Sequence, residues 1–257
     1  MLERLELERP QLVTMNDLTA LLCDAGVATL PRVFASRLRQ KGWLLPTAQR
    51  GVWEFAPAAL AGPYSSQDPL LSFRSFVARH PQALCGLTFQ AAAWAHGFAD
   101  RVPARPEVAA AEALVARRLP DDVDGSVFAP ALGYVEVRGV PVLAVESVIV
   151  HMCAKPVAVR SWASAAEWLP DLAAESDPGR IEQELAGRPN TVVARTGYLL
   201  QGLRPDIAAR LAAKAAFVGR AWFGGRGVAL RRDSRWQVAD TLLPFDPRNL
   251  EVVSCIS

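Results

Sequence analysis

The stretch Thr14-Met15-Asn16-Asp17-Leu18, continuing through Leu21-Leu22-Cys23-Asp24-Ala25-Gly26 and Leu30-Pro31-Arg32-Val33-Phe34-Ala35-Ser36-Arg37-Leu38-Arg39-Gln40-Lys41-Gly42 to Gly51-Val52-Trp53-Glu54-Phe55, decides how this chain folds. Thr14 is placed to cap a helix, with Asp17 three residues on to complete a capping box. Leu18, Leu21 and Leu22 share one apolar helical face, and Gly26 suits a C-terminal stop. After a short Val27-Ala28-Thr29 turn, Pro31 occupies the first turn of a second helix, where the missing amide hydrogen costs nothing. Leu30, Phe34 and Leu38 recur every fourth residue and are expected to face a core, and Gly42 ends the helix. Two β-prone runs follow, Trp43-Leu44-Leu45 and Gly51-Val52-Trp53-Glu54-Phe55, separated by residues 46–50 as in a hairpin. Helix, turn, helix and hairpin in this order outline a winged helix-turn-helix.

Charge suggests what such an outline serves. Between Pro31 and Arg50 lie Arg32, Arg37, Arg39, Lys41 and Arg50 and no acid, whereas the preceding residues carry mostly acids. With Leu30, Phe34 and Leu38 turned inward, Arg32, Ser36 and Arg39 are expected to point outward, with Arg37 and Lys41 beside them. Arg32, Ser36 and Arg37 are assigned to base edges of double-stranded DNA, with Thr29 just ahead of the helix. Arg39, Lys41 and Arg50 are assigned to phosphates, Arg50 from the tip of the wing.

Composition bounds the rest. A chain of 257 residues that is 51% apolar can bury more than one core. Its net charge of +2 means that affinity for nucleic acid must come from a local patch. The four cysteines, Cys23, Cys85, Cys153 and Cys255, are far apart and read as reduced thiols. The start of the chain has no signal-peptide core, and no run approaches the ~18–20 apolar residues of a membrane helix, so a cytoplasmic protein without a membrane partner is expected.

The expected organisation is α+β. Residues 1–60 form the winged helix, residues 61–69 a Pro/Gly/Ser-rich linker, and residues 70–257 a larger mixed α/β domain. In that larger part, helices are predicted at 70–78, 87–96 (with Thr88 as N-cap), 146–153, 161–172, 181–186, 190–203 and 206–216. Hairpins are predicted at 134–137 with 140–145 and at 228–231 with 236–239. Residues 107–117 fit strand and helix equally, because alanine masks the periodicity.

Little in the chain points to catalysis. His80, His96 and His151 have no second ligand at helical spacing, so no metal site is expected. Asp121-Asp122-Val123-Asp124-Gly125 lacks the closing glutamate of a calcium loop and reads as a polar turn. Gly224-Gly225-Arg226-Gly227 is not followed by the lysine and hydroxyl residue of a phosphate loop. No nucleophile elbow and no spaced carboxylates occur, so the chain is read as a non-enzyme without a cofactor.

Four short patterns resemble the AbiEi antitoxins of bacterial type IV toxin–antitoxin systems. The first is Leu38-x-x-Lys41-Gly42-Trp43-Leu44 with Arg50-Gly51-Val52-Trp53, and the second is Ala91-Ala92-Ala93-Trp94-Ala95-His96-Gly97. The third is Val142-Leu143-Ala144-Val145-Glu146-Ser147, leading to a helix that stops at Lys155-Pro156. The fourth is Arg195-Thr196-Gly197-Tyr198-Leu199-Leu200, followed by a strand region with Trp236 and Asp240. The helix from Glu146 departs from the pattern, with Ser147-Val148-Ile149 and His151 where an Arg-Thr pair and an aspartate are expected. The resemblance implies an autorepressor whose winged helix binds inverted repeats in its own promoter. It also implies a C-terminal domain that counters a nucleotidyltransferase-like toxin without forming a stable complex. Arg195, Tyr198 and Trp236 are read as packing and hydrogen-bonding the C-terminal core. Two other readings stay open: a ligand-responsive winged-helix transcription factor with a C-terminal sensor domain, and a nuclease delivered by the winged helix, which needs a carboxylate cluster around a divalent ion.

Overall fold

A computed structural model describes residues 2–57, 68–214 and 219–250. The chain separates into two compact units, each with its own core.

The first unit comprises the described residues up to 83, with 104–106 and 118–124. Its elements are α1 (Leu2–Glu8), β1 (Leu12–Thr14), α2 (Met15–Asp24), α3 (Pro31–Gln40), β2 (Leu44–Pro46), β3 (Val52–Phe55) and α4 (Leu71–Arg79). The capping box forms as the sequence predicts. The Thr14 hydroxyl accepts from the Asp17 amide, and the Asp17 carboxylate accepts from the Thr14 amide at 2.7 Å. Gly26 takes a left-handed conformation (φ 62°) that a side chain would disfavour, and this turns the chain toward α3. Leu18 and Leu21 of α2 and Ala35 and Leu38 of α3 pack with Leu5, Val13, Leu44, Trp53 and Phe55. Each large apolar side chain buried there contributes ~1.5–3 kcal/mol. Leu30 corrects the expected pattern: it is 71% exposed at the N-cap of α3, and Phe34 is only half buried. Ala35 and Leu38 carry the inward face instead, because a helix entered through Pro31 turns the preceding residue to solvent.

The sheet runs β1-β3-β2 and is antiparallel throughout, with Leu44 opposite Phe55 and Val13 opposite Trp53. Neither α1 nor β1 was expected from the sequence. The three-residue β1 is too short to show an alternating pattern. Helix α4 packs on β1 and β3, and all four residues of β3 are buried, including Glu54. The sequence assigned this helix to the second domain, but its contacts join it to the first unit. Most of the expected linker at 61–69 lies outside the described residues. Asp68 is described, and its carboxylate holds Arg74 of α4 at 2.8 Å.

The second unit is built on a five-stranded sheet ordered β6-β5-β4-β8-β7. These strands are β4 (Cys85–Leu87), β5 (Glu107–Ala110), β6 (Asp124–Val127), β7 (Tyr134–Val137) and β8 (Val140–Leu143). The β7–β8 hairpin turns at Arg138 and Gly139, both at positive φ, as a two-residue primed turn requires. The ambiguous segment 107–117 resolves into β5 followed by the four-residue α6 (Ala113–Ala116), and the polar turn read at 121–125 runs into β6. The remaining helices are α5 (Phe89–His96), α7 (Val145–Ala154), α8 (Trp162–Ala174), α9 (Pro178–Leu185), α10 (Asn190–Leu200) and α11 (Pro205–Lys214). Helix α7 packs against β8, α5, α8, α9 and α10, and residues 146–153 are all buried. That explains why its sequence is apolar nearly all round.

A third sheet, β10-β11-β9, comprises β9 (Ala221–Phe223), β10 (Arg231–Asp233) and β11 (Val238–Asp240). The hairpin expected at 228–231 with 236–239 is therefore shifted toward the C-terminus. Trp236 precedes β11 and lies over Gly197 of α10, where an added Cβ would come within 2.1 Å of the ring. Only glycine lets that helix and that ring approach so closely. No helix among the described residues is long and apolar enough to cross a membrane.

Candidate nucleic-acid interface

The basic residues of α3 and the β2–β3 hairpin come together because α2 fixes both. The amide of Met15, the first residue of α2, donates to the Gly51 carbonyl at the hairpin tip (3.0 Å). The tip itself is knotted by Thr47, whose hydroxyl donates to the Val52 carbonyl at 2.8 Å. Gly51 at φ 82° then lets the chain reverse. Arg50 sits beside this turn and is exposed.

On α3 the residues advance by about 100° per position, so Arg32, Ser36 and Arg39 fall within about 60° of one another on one face, and Leu38 lies off that face. With Arg50 and Gln49 they line a shallow depression of about 910 Å³ that also takes in Thr14, Asn16 and the end of α4 at Arg79. No aspartate or glutamate lines it. The nearby acids of this unit are engaged elsewhere: Asp17 in the capping box, Asp24 and Glu8 with Arg4, and Asp68 with Arg74. Among the described residues, Arg32, Arg37, Arg39, Lys41 and Arg50 make no ion pair.

The expected interface residues divide as follows. Arg32, Ser36, Arg39 and Arg50 are brought together, while Lys41 sits with Ser36 and Arg39 in an adjoining hollow. Arg37 is exposed but does not line the depression, since it lies about 140° around the helix from Arg32. Thr29 is half buried in the α2–α3 connection, its amide donating to the Val27 carbonyl at 2.9 Å. Arg79, Asn16, Thr47 and Gln49 were not singled out from the sequence. Arg79 was hidden because its helix was read as part of the other domain.

The polar groups inside the second unit are arranged differently. His151 of α7 is stacked between Phe89 and Phe128, with ring centroids 4.4 and 4.2 Å away. Its Nδ1 meets the Thr88 hydroxyl at 2.7 Å and its Nε2 the Ser126 hydroxyl at 3.2 Å. Burial, with Lys155 and Arg188 adding to it, pushes its pKa well below the usual histidine range, so it stays neutral. Thr88, expected to cap α5, gives its side chain to this histidine instead. Between two rings and two hydroxyls, His151 is a strut of the core. Glu184 of α9 is fully buried and accepts from the amides of Ala131 and Leu132, both at 3.1 Å, from the Ser147 hydroxyl, and from Arg188.

Tyr198 donates to Asp240 at 3.1 Å, and Arg231 pairs with the same carboxylate at 3.0 Å, tying α10 to the third sheet. Burial pushes the Cys85 thiol up to about 11 and the Cys153 thiol up to about 12, so both are unreactive. Cys255 lies outside the described residues. Among the described residues no cluster of three His, Cys, Asp or Glu side chains is poised to hold a metal.

Residues 83–202 match the family model of the AbiEi antitoxin C-terminal domain. Three of the four patterns that carry the resemblance begin within that span, whereas the α3–hairpin pattern lies before it. The family is one of antitoxins and not of enzymes, and an antitoxin domain implies a toxin as its counterpart. Among solved structures, the chain is similar to the RV2827C protein from Mycobacterium tuberculosis. The two are 28% identical with a TM-score of 0.73, over 94% of this chain and 90% of that one. No curated protein matches the chain.

Proposed function

We propose, from the AbiEi antitoxin domain at residues 83–202 as premise, that this chain is the autorepressor and antitoxin of a type IV toxin–antitoxin pair. The first unit acts as a winged helix-turn-helix and reads inverted repeats in its own promoter. The second counters a nucleotidyltransferase-like toxin in the cytoplasm. The observation that carries the DNA-binding part is the uncompensated basic face of α3 and the hairpin. Four guanidinium-bearing residues line one acid-free depression, next to a hydroxyl and an amide suited to base edges. Clustered like charges repel one another, and a polyanion removes that cost while releasing counterions.

The roles divide by position. Arg32 and Ser36, on the outward face of α3, are assigned to base edges, with Thr29 and Arg37 at the margins. Arg39, Lys41 and Arg50 are assigned to phosphates. Mobility-shift titration against the chain's own upstream DNA tests this. Arg32→Ala is expected to weaken specific binding by ~1–3 kcal/mol, the value of one lost bidentate contact. Wild-type affinity in Arg32→Ala and Arg39→Ala together moves the DNA surface elsewhere. The antitoxin part is tested by co-expressing the full chain with the nucleotidyltransferase-like protein encoded beside it. Rescue of growth is expected, and it is expected to survive in the Arg32→Ala variant.

A further inference from the structure

The acid-free depression extends past the hairpin. Arg79, in the last turn of α4, lines it together with Ala78 and Pro81. The end of this helix is held firmly. Phe73 and Phe76 are buried, the His80 amide donates to the Phe76 carbonyl at 2.9 Å, and the His80 ring lies against Phe76 at 4.9 Å. Arg79 follows Phe76 by three residues and is exposed. Five residues earlier on the same helix, Arg74 is tied to Asp68. Arg79 has no such carboxylate among the described residues, and the groups sharing its depression are Arg32, Arg39 and Arg50. Four guanidiniums from α3, the hairpin and α4 therefore face one concavity without a counter-charge. The packed helix end fixes the backbone of Arg79, so its guanidinium stays within reach of this basic cluster.

We infer that Arg79 is a phosphate-contacting residue, and that the DNA interface runs from α3 and the hairpin onto α4. The duplex lies over the depression, with Arg39, Arg50 and Arg79 on its phosphates and Arg32 and Ser36 toward its base edges. This rests on the reading of the α3 face as DNA-binding. A phosphate contact fixes the position of the protein on the duplex but carries no sequence information, which determines what a test must show.

The test uses the full chain with two duplexes, its own upstream DNA and one of unrelated sequence, titrated across a range of salt. Arg79→Ala is expected to weaken binding to both by the same factor, about 3–10-fold near 0.1 M salt, and to shrink the salt slope by about 0.9. Arg79→Lys keeps the charge and is expected to retain most of the affinity and the full slope. Unchanged affinity and slope in Arg79→Ala, alongside weakened Arg32→Ala and Arg39→Ala variants, places α4 outside the interface and leaves the DNA-binding reading standing. Loss on the upstream DNA alone overturns the phosphate role. If the wild-type chain binds neither duplex at any salt concentration, the underlying reading fails and the role of Arg79 fails with it. Melting temperatures equal to wild type separate these results from misfolding.

Discussion

The arginines of the first unit's basic face and those inside the second unit have opposite surroundings. Arg188 lies over the Phe128 ring at 4.1 Å, pairs with buried Glu184 and donates to the Ala129 carbonyl at 2.9 Å. Arg204 donates to the carbonyls of Ala173 and Ser176 and pairs with Asp206 at 2.8 Å. Such side chains have exchanged water for fixed partners, so they hold the fold together and are poorly placed to meet a ligand. Arg32, Arg39, Arg50 and Arg79 have the reverse arrangement: exposed, free of ion pairs among the described residues, and gathered around one depression. The same residue type thus serves structure in one region and is left available in the other. Nearby acids and carbonyls make the difference.

Removing Glu184 gives the contrast its strongest test. Glu184→Ala strands Arg188 and leaves two backbone amides without an acceptor, and it is expected to cost ~3–5 kcal/mol of stability. Urea denaturation measures the loss, while DNA affinity per folded molecule should stay at wild type. A midpoint shift worth less than ~1 kcal/mol would mean that the buried network contributes little.

The next largest effect depends on pH. Burial raises the Glu107 carboxyl from 4.5 to about 7, against the opposing pull of the Ala91 amide and Arg160. Because the folded-state value lies above the unfolded one, its contribution is fully present below pH ~4.5 and is lost as pH rises through ~7. The amount at stake is at most ~3 kcal/mol. Melts of wild type and Glu107→Gln from pH 4.5 to 8 should diverge in favour of the variant at the alkaline end. Parallel curves across that range would show that Glu107 does not carry the proton.

Smaller effects are expected on the exposed face, and there on binding instead of folding. Arg32→Ala and Arg39→Ala should each lower DNA affinity by ~1–3 kcal/mol while changing stability by less than ~0.5 kcal/mol. A matching fall in both quantities would mean that these arginines hold the unit together, and the contrast with Arg188 would disappear. The smallest effect is expected for Arg37→Ala, because Arg37 points away from the depression. Its affinity should stay within ~0.5 kcal/mol of wild type. A loss as large as that of Arg32→Ala would place the duplex further around α3.

Several elements could be read from the chain because their signals are local. The Thr14–Asp17 capping box, the turn at Gly26, Pro31 at the head of α3 and the Arg138-Gly139 hairpin turn each depend on a few adjacent residues. Each forms as its residue chemistry requires. The basic run from Arg32 to Arg50 was likewise plain, as were the short patterns that carry the AbiEi resemblance. Strands of three or four residues, such as β1, β4 and β9, were missed because they are too short for periodicity to show. Leu30 was misplaced because it continues the apolar spacing of α3 while sitting at its N-cap, outside the helix.

What the sequence determined by itself was where α2, α3 and the turns around them lie and where the uncompensated charge of the first unit is concentrated. The tertiary structure decided that α4 belongs with the first unit and adds Arg79 to the depression. It also decided that Arg37 falls outside, that His151 is held between Phe89 and Phe128, and that Gly197 makes room for Trp236. The physical reason is range. Caps, turns and helical faces arise from interactions within one or two turns of chain. Which face is covered, and which distant side chains converge, depends on packing between elements that can be forty or more residues apart, as Tyr198 and Asp240 are.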